Sequence, residues 1–131
     1  MAGPLKGLKI LDFTTLLPGP YGTMMLADLG AEVLRIVSGS RPDLTAFMPP
    51  FLPETNLSAA MACLGRGKRC MTLNLKDARG IAIVRRLVAE YDILIEQFRP
   101  GVMAKFGLDY ETLKTANPGL IYCSLTGYGQ T

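Results

Sequence analysis

The chain has 131 residues, 49% hydrophobic and 19% charged, with 14 Lys and Arg against 11 Asp and Glu. That length supports one domain around one core, and that composition excludes a disordered chain. A formal net charge of +3 suits an anionic small ligand, but it lacks the dense basic face with interleaved aromatics that nucleic-acid binding needs.

In chain order, Leu8 to Phe13 is a short apolar run and reads as a strand. Leu16 to Gly22, LLPGPYG, reads as a loop because it is rich in residues that break regular structure. Gly22 to Leu29 follows as a helix with Gly30 as its C-cap. Ala31 to Val37 is β-branched and apolar, a second strand that completes a βαβ unit. Ser38 to Thr55 holds Pro42, Pro49, Pro50 and Pro53, four of the nine prolines, and is expected to be a surface excursion without a regular helix. Asn56 to Leu64 is a short helix, and Cys70 to Leu75 a third strand. Asp77 is suited to cap the next helix. In that helix Ile81, Val84, Leu87, Val88 and Tyr91 recur at three- and four-residue spacing, with Arg79, Arg85, Arg86 and Glu90 on the other side. Asp92 to Phe98 is the fourth strand. Short helices and Asn117-Pro118-Gly119 lead to the fifth, Leu120 to Thr126. Strands alternating with helices predict an α/β fold, with a mainly parallel sheet covered on both faces.

The chain has three cysteines and no histidine. An odd cysteine count without paired spacing is no disulfide framework, and zinc ligation lacks its commonest nitrogen donor. Cys63, Cys70 and Cys123 are therefore expected to be buried small residues in a reducing, cytoplasmic setting. No signal-peptide core and no membrane-length apolar run is present. Without histidine, acid–base work would fall to carboxylate, Lys, Tyr or Cys.

Open parallel sheets bind ligands beyond the carboxyl ends of their strands. The loops there are Thr14 to Gly22, Val37 to Arg41, Asn74 to Asp77, Gln97 to Gly101 and Gly127 to Gln130. All are rich in Gly, Pro and polar residues, as ligand loops and ordinary turns both are. Gly65-Arg66-Gly67-Lys68-Arg69 is the densest basic cluster. It could hold a phosphate through its Arg and Lys donors, but it is no P-loop, which would need glycine at Ala62 and a hydroxyl at Arg69, and a solvated turn is the favoured reading. Asp12 and Glu96 stand near strand ends and read as capping carboxylates rather than as an acid or base.

Five stretches in register, PLKGLKILDFT, GPYGTMMLADLGAEVLRI, GRGKRCMTLNLKD, DILIEQFRPGVMAKFGLDYETL and NPGLIYCSLTGYGQT, resemble the N-terminal portion of family III CoA-transferases. That family includes formyl-CoA and carnitine CoA-transferases and the related α-methylacyl-CoA racemases. The resemblance covers nearly all of the chain except Ser38 to Leu64. It implies a Rossmann-like CoA-binding part of a larger α/β domain, truncated here and spanning residues 1–131. It further implies CoA or acyl-CoA as substrate, with no tightly bound cofactor. By position, CoA would lie along Leu16 and Leu17, then along Thr72, Leu73, Asn74, Leu75 and Lys76. Glu96, Gln97 and Phe98 would follow, with Lys105 and Phe106 beyond them. Family members often carry arginine where Ser38 stands, so Arg35 and Arg41 are the nearby basic candidates. The family's catalytic Asp, or the His and Asp of its racemases, would lie beyond the GYGQ loop. No catalytic residue is assigned, and the chain alone is expected to be inactive. Its expected partners are a second copy or a complementary C-terminal polypeptide, and exposed apolar surface is expected to favour self-association. The leading reading is a CoA-transferase part that moves CoA between carboxylic acids; the alternatives are an α-methylacyl-CoA racemase-like fragment and a non-catalytic nucleotide-binding module.

Overall fold

The computed structural model describes residues 3–130. Its strands are β1 (Lys9–Asp12), β2 (Glu32–Val37), β3 (Lys68–Thr72), β4 (Ile93–Glu96) and β5 (Ile121–Ser124). They form one sheet in the order β3-β2-β1-β4-β5, with every neighbouring pair parallel. The helices are α1 (Pro18–Asp28), α2 (Ala59–Gly65), α3 (Ala78–Val88), α4 (Val102–Lys105) and α5 (Tyr110–Leu113). The chain is thus the α/β fold that the alternation predicts.

Strands β1, β2 and β3 step outward in one direction, and the chain then crosses back to place β4 on the other side of β1. Right-handed crossovers put α1 and α2 on one face and α3, α4 and α5 on the other. The α3 face holds the larger core, where Leu11, Phe13, Leu34 and Leu94 meet Val84, Val88, Met103 and Leu113. Each such buried side chain contributes about 1.5–3 kcal/mol. The α1 face has a smaller apolar cluster, Ile10, Ala31 and Val33, with Leu26 and Ala27 of α1 packed against it, and it also buries the polar Asp12, Thr23 and Arg35.

Helix α3 buries Val84 and Val88, as its spacing predicts. Asp77 caps it by accepting the Arg79 N–H at 2.9 Å. Its carboxyl is lowered to about 2, first by the Arg79 guanidinium that donates to it and then by that N–H. The folded pKa lies below the unfolded value, so this contribution is complete above pH 4 or so and is lost as the pH falls towards 2. Between pH 5 and pH 2 the thermal midpoint of the wild type should therefore fall further than that of Asp77→Asn. Parallel curves would remove the capping pair from the account.

Three expectations are corrected. Helix α1 begins at Pro18, inside the stretch read as a loop. Prolines at the first helical positions lack only N–H groups that have no intrahelical partner there, so they start a helix as readily as they break one. Strand β3 begins at Lys68, two residues earlier than expected, because it pairs with Val33–Val37 of β2. It ends where the Asn74 side chain accepts the Lys76 N–H at 3.0 Å and turns the chain. The three cysteines are exposed rather than buried. Cys70 and Cys123 lie on the two edge strands, where one covered face does not bury a strand. The proline-rich excursion does lack an α-helix, and its one regular turn is a 3-10 turn at Leu44–Phe47.

Candidate functional site

The strand order reverses between β1 and β4, and a cleft opens at such a switch point. Thr15 follows β1 and Gln97 follows β4. The Gln97 Nε2 donates to Thr15 Oγ1 at 3.3 Å across the switch. Gln97 Oε1 is buried and has no partner among the described residues. The β1–α1 turn beside it contains Leu16 and Leu17, exposed by 42% and 62%. Leu16 stands at φ +61°, a left-handed conformation that crowds a leucine Cβ.

The other expected residues lie around the same end of the sheet. Ser38 and Thr72 are exposed at the ends of β2 and β3. The Leu73 N–H extends the pairing to Val37 O at 2.9 Å. Leu73 and Leu75 turn into the larger core, while Asn74 and Lys76 are exposed. Glu96 is buried, and its Oε2 accepts the Phe98 N–H at 2.8 Å. It also lines a hollow of about 280 Å³ with Arg99, Asp109, Tyr110 and Tyr122. Burial raises the Tyr122 hydroxyl's pKa well above its ordinary value, with Glu96 and Asp109 adding to the effect. Phe98 and Phe106 are half-buried against the core. Phe106 also borders a shallow surface depression with Arg85 and Arg86 of α3. Lys105 ends α4 and is exposed. Lys76 and Lys105 are absent from the ion pairs formed among the described residues.

Arg35 is placed differently. It is 5% exposed and pairs with Asp43, its NH1 reaches Met61 Sδ at 3.4 Å, and its Nε has no partner among the described residues. Its guanidinium faces the protein. Beside it, Asp12 is fully buried and accepts from the Thr14 N–H, Thr14 Oγ1 and Thr23 Oγ1. Lys68 Nζ lies 3.4 Å from Asp12 and donates to Thr23 Oγ1 at 2.7 Å and Pro20 O at 2.8 Å. Its pKa is lowered, chiefly by burial. Asp12, Arg35, Lys68 and Asp43 form a charge-balanced quartet beneath the first loop.

Sequence reasoning missed Asp43 and placed Lys68 in a solvated turn. Arg66 and Arg69 of that cluster do face solvent, paired with Asp28 and Glu32. The available signal for Lys68 was alternation: on a strand it shares a face with Cys70 and, across the sheet, with Asp12. Among the described residues no three Cys, Asp or Glu side chains form a group able to hold a metal ion. No helix among them is long and apolar enough to cross a membrane.

Comparison with known proteins matches this arrangement. The succinate–glutarate CoA-transferase of Agrobacterium fabrum is 46% identical over 133 residues, covering 98% of this chain and 33% of that protein. Human α-methylacyl-CoA racemase is 42% identical over 128 residues, covering 97% of this chain and 29% of that protein. The crystal structure of a CAIB/BAIF family protein from Brucella suis superposes with a TM-score of 0.92 at 43% identity, covering all of this chain and 35% of that one. The chain thus spans about a third of the length of these relatives. The model of CoA-transferase family III matches residues 5–131, and with sheet, loops and relatives in agreement, the chain belongs to that family.

Proposed function

We propose that this chain supplies the CoA-binding part of an enzyme that moves CoA between carboxylic acids. The observation that carries the reading is the convergence of loops at one end of the sheet. The loops after β3, with Asn74 and the exposed Lys76, and after β4, with Gln97, open on the carboxyl side of the sheet, and the exposed Lys105 ends the short α4 that follows β4. Lysines suit the phosphates of CoA, and the exposed Leu16 and Leu17 suit its pantetheine arm. The Agrobacterium relative is named for transfer between succinate and glutarate, which favours a dicarboxylate as acceptor. The catalytic Asp that the resemblance places beyond the GYGQ loop would come from polypeptide outside these 131 residues. A racemase part is the second reading, favoured by 42% identity to the human enzyme, and the CoA-binding role is the same in both.

Calorimetric titration of CoA into the chain, with dephospho-CoA alongside, tests the proposal. CoA should bind about tenfold more tightly, because the 3′-phosphate adds at least one charge-assisted hydrogen bond. A folded chain that binds neither would sink the reading.

A further inference from the structure

Asp43 sits in the proline-rich excursion, outside every loop assigned to CoA. Its side chain is 3% exposed, and its carboxylate is fully occupied. One oxygen accepts from Thr45 N–H at 3.0 Å and Thr45 Oγ1 at 2.8 Å. The other accepts the Leu16 N–H at 3.0 Å, from 27 residues away, and pairs with Arg35. These contacts bear on a backbone problem. Leu16 is held at φ +61°, and no glycine stands between Thr14 and Pro18 to relieve it. Leu17, the N-cap of α1, makes no side-chain capping bond. A left-handed leucine persists only where its surroundings over-determine it, and the bond from its own N–H goes to Asp43.

We propose that Asp43, backed by Arg35, is a positioning residue that clamps Leu16 in its left-handed conformation and so presents Leu16 and Leu17 to the ligand. The same carboxylate starts the 3-10 turn at Leu44–Phe47, which couples the excursion to the first loop. Arg35 then acts through Asp43 rather than on phosphate. For its ligand-binding arm alone, the inference rests on the proposed CoA reading.

The test uses the full chain in four forms: wild type, Asp43→Ala, Leu16→Gly and the double variant. Amide hydrogen exchange at Leu16 is followed by NMR, and CoA is titrated by calorimetry. Asp43→Ala should speed Leu16 exchange at least about tenfold and weaken CoA binding about tenfold. With glycine at position 16, which enters the left-handed region at no steric cost, Asp43→Ala should cost little further affinity, so the double variant should bind about as well as Leu16→Gly alone. A general loss of stability would not be repaired at position 16. If Asp43→Ala does not fold, Asp43→Leu combined with Arg35→Met removes both buried charges together and gives the same exchange reading, since no carboxylate then faces the Leu16 N–H. Unchanged Leu16 exchange, or the same loss of affinity from Asp43→Ala with Gly at position 16 as with Leu, overturns the clamp. A wild type that binds no CoA overturns the ligand reading, while the exchange data still decide the clamp.

Discussion

Asp12→Ala should be the most destabilising single change in the α1 half of the molecule. It removes a fully buried carboxylate that accepts from two threonines and faces Lys68, whose side chain is 2% exposed. Removing one partner of a buried pair strands the other charge and costs about 3–5 kcal/mol. Domains of this size have about 5–15 kcal/mol in all, so the variant should sit near the limit of folding. Lys68→Met should cost less, because Asp12 keeps its three donors from Thr14 and Thr23. The double variant should be more stable than the sum of the two losses by about 1–3 kcal/mol, since no unpaired charge remains. Urea unfolding of the four proteins measures that coupling. Strict additivity would mean that Asp12 and Lys68 do not act as a pair, and that the threonines alone hold α1 to β1.

Gly80→Ala and Gly22→Ala should change stability in opposite directions, although both glycines lie inside helices. A Cβ at Gly80 would stand 2.2 Å from Asn74 O and 3.0 Å from Asn74 C. Those are backbone atoms, so the β3–α3 loop must move, and overpacking of this kind costs about 1–3 kcal/mol. That loop carries Asn74, Leu75 and Lys76, so on the proposed reading CoA binding should weaken as well. A Cβ at Gly22 would meet nothing within 4 Å, and Ala there should stabilise by about 0.4–1 kcal/mol through the unfolded chain. Thermal melts of the two variants decide the sign. Equal effects would show that α3 does not press closely on the loop.

The parts of this fold legible in sequence are those set by periodicity. Helix α3 declares itself through Ile81, Val84, Leu87 and Val88, and β1, β2 and β4 through short apolar runs. The loops around the switch point follow from strand order alone. What stayed hidden depends on contacts across the sheet. Lys68 looks like a solvent residue until β3 is set against β2, which turns its side chain towards Asp12. The cysteines look like core until the strands that carry Cys70 and Cys123 prove to be edges. Asp43 gives no local sign of its role, because its partners lie 27 residues back in the β1–α1 turn and 8 back in β2. Proline was read as a breaker at Pro18, where position in the first turn makes it a starter.

The switch point also has a consequence in time. Strand β4 joins β1 at the centre of the sheet, where Lys9 N–H meets the Asp92 carboxylate across 83 residues of chain. The residues of β2 are available to β1 once a growing chain has passed Val37, and those of β3 once it has passed Thr72. The inner edge of β1 has no partner until Ile93 to Glu96 have been made. Synthesis therefore supplies this sheet from its middle strand out to one flank first, and the β1 edge that takes β4 waits longest for its partner. Non-local parallel pairing of this kind slows folding, and an open strand edge invites a wrong partner meanwhile.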